Sequence, residues 1–467
     1  MSSIQNIKKQ KIIYRCQNCG YSSSKWLGKC PECEKWNSFV EESIPGKDII
    51  ASHRLTQFSS EVYHLDDISI TGTNRYMTDI VEFDRILGGG IMPGSLILLG
   101  GSPGIGKSTL MLQVAVALSK KVKLDNKNIT VLYVSGEESP QQVKIRAERL
   151  NIRSVKSLYI ISETNLETIL ETVKKILPDI LIIDSIQTIY KPDISAIPGS
   201  IGQIRECSQE LLYLAKGKGV TVFLLGHITK GGDIAGPMVL EHIVDTVLYF
   251  ETEQNNMYRI LRAHKNRFGP TSEIGIFEMK SDGLKEIRNP SEIFLNERTK
   301  KIPGSCVVTS LEGTRPLLIE VQALVTKTNF GLPRRMITGY DYNRAILLIS
   351  VLEKRENLPL GIYDVFINIA GGIKINEPSI DLGICVSIYT AYLNKTFMQD
   401  TVFIGEVGLM GEVRNISFVK ERINEIEKMG FKNVFLPESN FRGLDYKGKL
   451  KLYPVSNINE VTAKLKE

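Results

Sequence analysis

Short, uninterrupted runs of apolar residues recur through the middle of the chain and alternate with longer stretches in which apolar residues recur every three or four positions. The first pattern is typical of strands buried on both faces of a sheet, and the second of amphipathic helices. The predicted strands are 95–100, 129–135, 179–185 and 220–226. The predicted helices are, roughly, 107–120, 139–150, 164–177 and 201–216. Such alternation predicts an α/β fold with a parallel sheet covered on both faces.

The pattern changes on either side of this region, which divides the chain into four segments. Residues 1–45 are rich in cysteine and poor in the aliphatic residues that build a core. Residues 46–70 show no sustained periodicity and are interpreted as a linker, whereas residues 71–290 hold the α/β core. Residues 291–467 are predicted to form a second α/β unit, entered through the stretch RTKKIPGS.

The overall composition is that of a soluble globular protein. Of 467 residues, 42% are hydrophobic and 24% are charged, and no apolar run reaches the length of a membrane span. The N-terminal stretch MSSIQNIKKQKIIYRC lacks the apolar segment of a secretory signal, so we expect a cytoplasmic protein without a membrane partner. The formal net charge of +6 permits a polyanionic partner but does not require one.

Four of the seven cysteines are closely spaced near the N-terminus. Two CxxC pairs allow four thiolates to converge tetrahedrally on Zn²⁺, and so small a segment needs such a crosslink to fold. The predicted zinc ligands are Cys16, Cys19, Cys30 and Cys33. Four free thiols or two disulfides are the alternative. We expect Trp26 and Trp36 to pack over this structural site or, alternatively, to stack on nucleic acid.

The stretch GGSPGIGKST follows the first core strand and precedes a helix. This is the context of a P-loop, whose backbone N–H groups surround phosphate oxygens at the start of a helix. We expect Lys107 to reach the β- and γ-phosphates of ATP, and the Ser108 hydroxyl to ligate Mg²⁺. The predicted nucleotide-binding residues of the loop are Gly101, Ser102, Pro103, Gly104, Ile105, Gly106, Lys107, Ser108 and Thr109.

Polar residues at the ends of three other core strands are expected to complete the nucleotide site. Asp184 ends the strand DILIIDS and is expected to make the second Mg²⁺ contact, directly or through water; capping of the next helix is the alternative. Glu137 or Glu138, in YVSGEES, is expected to activate the attacking water. His227 ends the last core strand and either senses the γ-phosphate or is a hydrogen-bonded structural histidine.

Two further segments carry cations. The glycine-rich stretch after His227 contains Lys230 and is expected to be a mobile loop that faces a central channel, which makes Lys230 a candidate DNA contact. The turn HKNRFG joins two predicted strands and brings Lys265, Asn266 and Arg267 together, although a hairpin needs no such cluster of polar and basic residues. A solvated basic turn and a simple DNA contact are two interpretations of this turn.

The order of these motifs resembles that of the RadA family of bacterial DNA repair proteins, also called Sms. The resemblance spans nearly the whole chain and rests on KWLGKCPEC, EFDRILGGGIMPGS, VSGEES, GHITKGGDIAGP, LEHIVDTVLYFE and KNRFG. It implies a homohexameric RecA-like ATPase, stimulated by single-stranded and branched DNA, that promotes branch migration with the recombinase RecA as a partner. It implies the cofactors ATP, Mg²⁺ and Zn²⁺.

Membership of the RecA-like class also implies roles for individual residues. The Ser-x-Glu pattern of DnaB-type members favours Glu137 as the base, and Glu138 is then expected to cap the helix that starts at Ser139. In a ring ATPase each nucleotide lies between subunits, so Lys265 and Arg267 are expected to complete the neighbour's site by stabilising charge on the γ-phosphoryl group.

The C-terminal unit resembles the proteolytic domain of Lon proteases, whose catalytic pair is serine and lysine. In this alignment Asp381 occupies the serine position, Ser379 lies two residues early, and Lys420 matches the lysine. A carboxylate is too weak a nucleophile for peptide hydrolysis, so Asp381 is expected to pair with Lys420 instead. Cys306 and Cys385 are interpreted as buried thiols. The unit is expected to be proteolytically inactive and to serve ring assembly and DNA binding.

Three functions remain open at this point. The first is a DNA-stimulated ATPase motor, and the second is an ATP-dependent protease, against which the missing serine argues. The third is a nucleotide-gated ring scaffold with little motor action, as in KaiC-like proteins.

Overall fold

The computed structural model divides the chain into two compact units, whose main boundary lies between Glu286 and Ile287. The residues that it describes are 11–16, 21–32, 34–44, 64, 66, 74–122, 128–152, 155–194, 196–227, 238–252, 258–296, 302–329, 331–372 and 374–466.

The cysteine-rich segment forms a small antiparallel sheet. Its strands are β1 Lys11–Cys16, β2 Ser22–Ser23 and β3 Phe39–Ile44, in the order β2-β1-β3. The buried cluster of this segment consists of Cys16, Cys30 and Phe39. The few side chains that are buried among the described residues of this segment give too small an apolar core to hold a fold on their own, which agrees with the predicted need for a metal crosslink.

The core of the first unit is a nine-stranded sheet. Its strands are β4 Leu96–Gly101, β5 Val131–Ser135, β6 Leu158–Ser162, β7 Ile180–Asp184, β8 Thr221–His227, β9 Thr246–Thr252, β10 Tyr258–Asn266, β11 Ile274–Lys280 and β12 Gly283–Glu286. They lie in the order β12-β11-β10-β9-β4-β8-β7-β5-β6. The six strands from β9 to β6 are parallel, and β10 to β12 add an antiparallel extension. The predicted α/β fold is confirmed, and all four predicted strands occur within two residues of their expected bounds.

Helices cover both faces of this sheet. They are α1 Val81–Ile86, α2 Lys107–Ser119, α3 Pro140–Arg149, α4 Leu166–Ile176, α5 Ile201–Lys218 and α6 Met238–Ile243. Local sequence explains their ends: Ser139 and Ser200 cap the starts of α3 and α5 through side-chain oxygens, and Gly219 ends α5 in the left-handed region at φ 70°. Two apolar clusters, one on each face, hold the helices to the sheet.

The second unit is built on a seven-stranded mixed sheet in the order β15-β16-β14-β13-β17-β20-β21, with a separate ribbon of β18 and β19. The strands are β13 Ser305–Glu312, β14 Arg315–Lys327, β15 Arg335–Thr338, β16 Tyr363–Ile369, β17 Thr401–Phe403, β18 Glu406–Val407, β19 Val413–Arg414, β20 Asn433–Pro437 and β21 Lys451–Val455. The helices are α7 Pro290–Asn296, α8 Tyr342–Arg355, α9 Asp381–Leu393, α10 Val419–Lys428, α11 Glu438–Phe441 and α12 Ile458–Lys466. Helix α9 is buried along its first ten residues and is the centre of this unit.

Within the residues described above, none of the helices is both long enough and apolar enough to cross a bilayer.

Candidate nucleotide site

The parallel strands bring the predicted nucleotide-site residues to one edge of the sheet. In the register of the sheet, Gly101 at the end of β4 pairs with His227 at the end of β8, and Asp184 at the end of β7 pairs with Ser135 at the end of β5. Because β4, β8, β7 and β5 are consecutive neighbours, their carboxyl ends form a continuous row. Such an edge is where ligands bind in open α/β sheets.

The P-loop forms the turn between β4 and α2. Gly106 stands at the N-cap of α2 with φ 112°, a conformation that disfavours any residue with a Cβ atom. The Lys107 ammonium donates hydrogen bonds to the carbonyl oxygens of Gly101, at 2.7 Å, and Ser102, at 3.0 Å. Ser108 and Thr109 lie half-buried in the first turn of the helix. The sequence therefore builds an anion cradle at a helix N-terminus.

The buried lysine of the cradle lies within a set of charged partners. Burial lowers the pKa of Lys107 to about 8, while the carboxylates of Asp184 and Glu137 raise it. His227 accepts a hydrogen bond from the ammonium, with Lys107 Nζ and His227 Nδ1 3.2 Å apart. A buried ammonium at a helix N-terminus is suited to a phosphate anion, whose charge offsets the cost of burying the cation.

Glu137 belongs to the same cluster. Its Oε1 accepts a hydrogen bond from Ser185 Oγ at 2.8 Å and lies 3.4 Å from His227 Nε2. Half of the Glu137 side chain is exposed, so the carboxylate can reach water at the mouth of the site. The contacts run from Lys107 through His227 to Glu137, with His227 Nδ1 accepting and Nε2 donating.

The neighbouring Glu138 points away from this cluster. Its carboxylate pairs with Arg146 on α3. The expectation that Glu138 caps the next helix is wrong, because Ser139 caps α3 in a capping box with Gln142. The two glutamates therefore have different surroundings: Glu137 contacts Ser185 and His227, whereas Glu138 is paired with Arg146. This favours Glu137 as the base.

Asp184 ends β7 beside a tyrosine that the sequence analysis did not single out. The hydroxyl of Tyr133, on β5, donates a hydrogen bond to Asp184 Oδ2 at 2.5 Å. The next helix, α5, begins at Ile201 and is capped by Ser200, so the alternative in which Asp184 caps it is wrong. The sequence did offer a signal for Tyr133. It is a phenol in an otherwise aliphatic buried strand, and a buried hydroxyl requires a hydrogen-bond partner. Ser185, the partner of Glu137, was also missed.

The donor set at this edge fits ATP with Mg²⁺. Ser108 offers a hydroxyl and Asp184 a carboxylate, the oxygen ligands that Mg²⁺ prefers, and the P-loop offers a helix N-terminus and Lys107 for the phosphates. These residues could hold the ion and the phosphate groups respectively.

The described half of the cysteine cluster fits a metal site. Cys16 and Cys30, one from each CxxC pair, are both fully buried in the same small cluster, and neither forms a disulfide. The other two predicted ligands, Cys19 and Cys33, lie outside the described residues, as does Lys230. The side chains of Trp26 and Trp36 are 53% and 72% exposed, and the expectation that they pack over the metal site stays a prediction.

The basic turn of the β10–β11 hairpin lies at the opposite end of the parallel strands from the P-loop, where β4 and β9 begin. Asn266, at the end of β10, pairs with Thr246 at the start of β9, which in turn pairs with Ile97 near the start of β4. The P-loop follows Gly101, at the far end of β4. The turn is therefore separated from the P-loop of its own chain by the length of β4.

The two cations of the turn have different surroundings. Lys265 Nζ donates hydrogen bonds to the carbonyl oxygens of Glu241, at 2.6 Å, and Val244, at 2.8 Å, at the C-terminal end of α6. Burial lowers the pKa of Lys265. Arg267 is 58% exposed, and its Nη1 lies 3.8 Å from Asp245 Oδ1. Lys265 thus holds the turn to the protein, and Arg267 projects from it.

Comparisons with known proteins place this geometry in a family. Family models match residues 14–41 (rubredoxin metal binding domain), 67–233 (AAA domain) and 348–440 (subunit ChlI of Mg-chelatase). The DNA repair protein RadA of Bacillus subtilis is 48% identical over 455 residues, which cover 97% of this chain and 98% of that protein. The RadA proteins of Halalkalibacterium halodurans, at 48% identity, and Streptococcus pyogenes serotype M1, at 49%, match over the same shares. The chain belongs to the RadA family.

Among solved structures, a KaiC-like protein from Pyrococcus horikoshii is similar to 46% of this chain over 99% of its own length, with a TM-score of 0.38 and 22% identity. The RadA relatives and the family models together show the architecture: a zinc-ribbon segment, a RecA-like P-loop ATPase core and a C-terminal ChlI-like unit. The expected family and fold class are confirmed.

In this RadA-family chain, Asp381, which the sequence analysis aligned with the protease nucleophile, belongs to an ion pair with Arg344. Asp381, at the start of α9, is fully buried and accepts hydrogen bonds from the Tyr340 hydroxyl, at 2.5 Å, from the Arg344 guanidinium, at 2.5 and 3.1 Å, and from the Val407 amide, at 3.1 Å. The expected pairing with Lys420 is wrong, because Lys420 lies on the exposed face of α10. Burial of Cys306 and Cys385 is confirmed.

The buried cation of α10 is Arg422 instead. Positions 420 and 422 differ by about 200° around a helix, so they face opposite sides. Arg422 is fully buried, pairs with Glu377 and donates a hydrogen bond to Ser379 Oγ at 3.1 Å. Ser379 in turn donates to the carbonyl oxygen of Thr309 at 3.2 Å. Ser379 and Asp381 therefore contact different residues, and each has structural partners.

Proposed function

We propose that this chain is a DNA-stimulated ATPase that acts in DNA repair and homologous recombination and drives branch migration of recombination intermediates. Its substrates are single-stranded and branched DNA, and its partner is the recombinase RecA. Membership of the RadA family supports the repair role. The observation that carries the ATPase role is the contact chain from Lys107 through His227 to Glu137 at the carboxyl edge of the sheet.

The mechanism assigns one task to each side chain at this edge. Lys107 would bind the β- and γ-phosphates of ATP in place of the carbonyl oxygens of Gly101 and Ser102, and Ser108 and Asp184 would hold Mg²⁺, which would neutralise phosphate charge. Glu137 orients the attacking water and accepts its proton. His227 contacts both Lys107 and Glu137. Movement of the lysine toward phosphate would therefore remove one hydrogen bond of the histidine that also contacts the catalytic base.

The remaining cation comes from a second copy of the chain. Arg267 is exposed at the edge opposite its own P-loop, so it acts on the nucleotide of a neighbouring subunit in a homohexameric ring, where a guanidinium stabilises charge on the γ-phosphoryl group. Lys265 contributes by fixing the turn to the carbonyl oxygens at the end of α6. Zn²⁺ held by the four N-terminal cysteines folds the ribbon, which lies outside the nucleotide site.

The two alternatives have less support. A protease requires a nucleophile at position 381, where a buried carboxylate is held by Arg344 and Tyr340. A passive scaffold needs to bind nucleotide but has no need of a base. The contact between Glu137 and His227 beside the P-loop therefore favours hydrolysis over binding alone.

A branch-migration assay tests the proposal. Wild-type protein should extend the heteroduplex of a labelled recombination intermediate in the presence of ATP, and Lys107→Ala protein should not. Equal extension by both proteins would exclude ATP-driven branch migration. ATP-dependent degradation of casein by the wild type would favour the protease.

A further inference from the structure

A cavity lined by cations lies beside the basic turn, at the edge of the sheet opposite the P-loop. Its volume is about 540 Å³, and its charged and ionisable lining residues are Arg205, Lys216, His242, Asp245 and Arg267. We call it the basic cavity. It lies between α5, α6 and the turn after β10 and belongs wholly to the first unit.

The helix α5 presents one face to this cavity. Arg205, Gln209, Leu212 and Lys216 all line it, and their spacing of four, three and four residues places them along a single side of a helix. Arg205 is exposed on this face, and Lys216 lies at its other end. The spacing was visible in the sequence, but nothing in the sequence indicated that this face meets the turn that carries Arg267.

A buried carboxylate fixes the floor of the cavity. Asp245 is 3% exposed, and its Oδ2 lies 2.6 Å from Lys216 Nζ and accepts a hydrogen bond from the Leu96 amide at 3.0 Å. The Arg267 amide also donates to the carbonyl oxygen of Asp245 at 3.2 Å. The charge of Asp245 is thus matched by one lysine, and its position is tied to the first residue of β4.

The other cations of the cavity exceed what Asp245 needs. Arg267 Nη1 lies 3.8 Å from Asp245 Oδ1, which is beyond hydrogen-bond distance, and 58% of the side chain is exposed. With Arg205 and Lys216, three permanent cations face one carboxylate. A concave site with excess positive charge concentrates anions, and guanidinium groups match the oxygen geometry of phosphate.

We propose that the basic cavity is the half-site that receives the terminal phosphate of ATP held by the P-loop of a second copy of the chain, with Arg205 and Lys216 acting beside Arg267. This inference rests on the proposed function, which assigns Arg267 to a neighbour's nucleotide. The cavity lies at the opposite end of β4 from its own P-loop, about 16 Å away for five strand steps, so its own nucleotide cannot fill it.

Nucleotide phosphate is favoured over the phosphate backbone of DNA by the position and shape of the site. The glycine-rich stretch that the sequence assigns to DNA follows His227, at the carboxyl edge, whereas the cavity lies at the amino edge. A concave cavity with three cations also suits one compact, multiply charged phosphoryl group better than a continuous backbone with one charge per phosphate.

Kinetics of single variants provide the first test. Arg205→Ala removes an exposed cation, so the fold should persist, and ATP turnover should fall by at least about tenfold, in line with the loss of one transition-state contact. Affinity for a fluorescent ATP analogue should stay unchanged, because the protein's own P-loop is intact. Arg205→Lys should recover part of the rate. Lys218→Ala, an exposed lysine at the end of the same helix, is the matched control and should turn over ATP at the wild-type rate.

Lys216→Met would test the contribution of Lys216 to turnover, but it leaves the Asp245 carboxylate buried without its paired cation. The double variant Lys216→Met with Asp245→Asn removes both charges and should fold, since the asparagine oxygen can still accept from the Leu96 amide. Its turnover should fall as in Arg205→Ala. Wild-type turnover in both Arg205→Ala and the folded double variant would overturn the proposal.

Cross-linking identifies the source of the phosphate. Rings are assembled from tagged wild-type copies and untagged Lys107→Ala copies, and co-purification through the tag verifies that both are present. A photoreactive ATP analogue that carries its azide on the γ-phosphate should label the peptide around Arg205 in the Lys107→Ala copies, whose own P-loop lacks the phosphate-binding lysine and lies at the other end of β4. Labelling confined to the wild-type copies would overturn the proposal.

Further outcomes distinguish failure of the basic-cavity assignment from failure of the proposed function on which it rests. If Arg205→Ala weakens binding of a labelled oligonucleotide and lowers its salt dependence while DNA-free turnover stays intact, the anion is DNA phosphate and the proposal is wrong. If Arg267→Ala itself keeps the DNA-stimulated rate, the role of the turn in the neighbour's site fails. If Arg267→Ala loses that rate and Arg205→Ala keeps it, only the assignment of the basic cavity fails.

Discussion

Lys107 and His227 are in direct contact although 120 positions separate them in the chain: Lys107 Nζ lies 3.2 Å from His227 Nδ1. The contact exists because β4 and β8 are adjacent parallel strands that end at the same level. It places a histidine between the lysine that is to bind phosphate and the glutamate that is to activate water.

Glu137→Gln should separate ATP binding from hydrolysis. The amide keeps the shape of the side chain but cannot accept a proton from water, so turnover should fall by about 10²–10⁴-fold while nucleotide affinity stays near that of the wild type. Steady-state ATPase and nucleotide-binding measurements check this. Glu138→Gln is the matched control, because Glu138 faces Arg146, and it should retain most activity. Normal turnover in Glu137→Gln together with loss in Glu138→Gln would reverse the assignment.

Lys107→Ala should remove the buried cation from the phosphate cradle. We expect ATP turnover to fall by at least about 10²–10³-fold, since a preorganised charge at the transferred phosphate is lost. Thermal melting should show an intact fold, because the ammonium of Lys107 contacts only two carbonyl oxygens and His227 among the described residues. A variant that melts at the wild-type temperature and hydrolyses ATP at the wild-type rate would contradict the P-loop assignment.

Removal of zinc should affect the ribbon alone. Chelation, or the change Cys30→Ser, should unfold the N-terminal segment, because the buried cluster among its described residues is small and includes the two cysteines Cys16 and Cys30. Native mass spectrometry should find one zinc ion per wild-type chain and fewer in Cys30→Ser. Cys207→Ser is the control, since Cys207 is buried in the ATPase core, and it should keep the metal. A zinc content near zero in freshly purified wild-type protein would contradict the site.

Introducing a serine at position 381 should not create a protease. Asp381→Ser takes from Arg344 the nearer of its two carboxylate partners and leaves it Glu406 at 3.3 Å, and loss of one partner of a buried ion pair costs up to about 3–5 kcal/mol in the free energy of unfolding. Chemical denaturation measures that cost, and a peptide-hydrolysis assay should show no activity. Glu438→Gln breaks an exposed pair with Arg442 and should cost at most about 1 kcal/mol. Casein cleavage by Asp381→Ser would contradict the structural role of this position.

The central strands could be predicted from the sequence because each is buried on both faces and therefore appears as a continuous apolar run. Strand β6, Leu158–Ser162, was missed: it is the edge of the sheet, it is only partly buried, and its apolar run is short. Strand β9 was not assigned either, although its buried residues include Val247 and Leu248.

The nucleotide site could be predicted to the extent that it follows the ends of strands. Asp184, His227 and Glu137 follow neighbouring strands, and a parallel sheet brings them together whatever their partners are. Contacts between side chains from separate elements could not be predicted. The sequence suggested Lys420 as the partner of Asp381, but the turn of α10 directs that lysine outward, and Arg344, 37 residues before Asp381, takes its place.

The most direct test of the account is the rate of ATP hydrolysis with and without DNA, measured for the wild type, Lys107→Ala and Arg267→Ala. The account predicts that single-stranded DNA raises the wild-type rate, that Lys107→Ala shows almost no hydrolysis, and that Arg267→Ala binds nucleotide normally but loses the stimulation. A wild-type rate that does not respond to DNA, or full stimulation in Arg267→Ala, would contradict it.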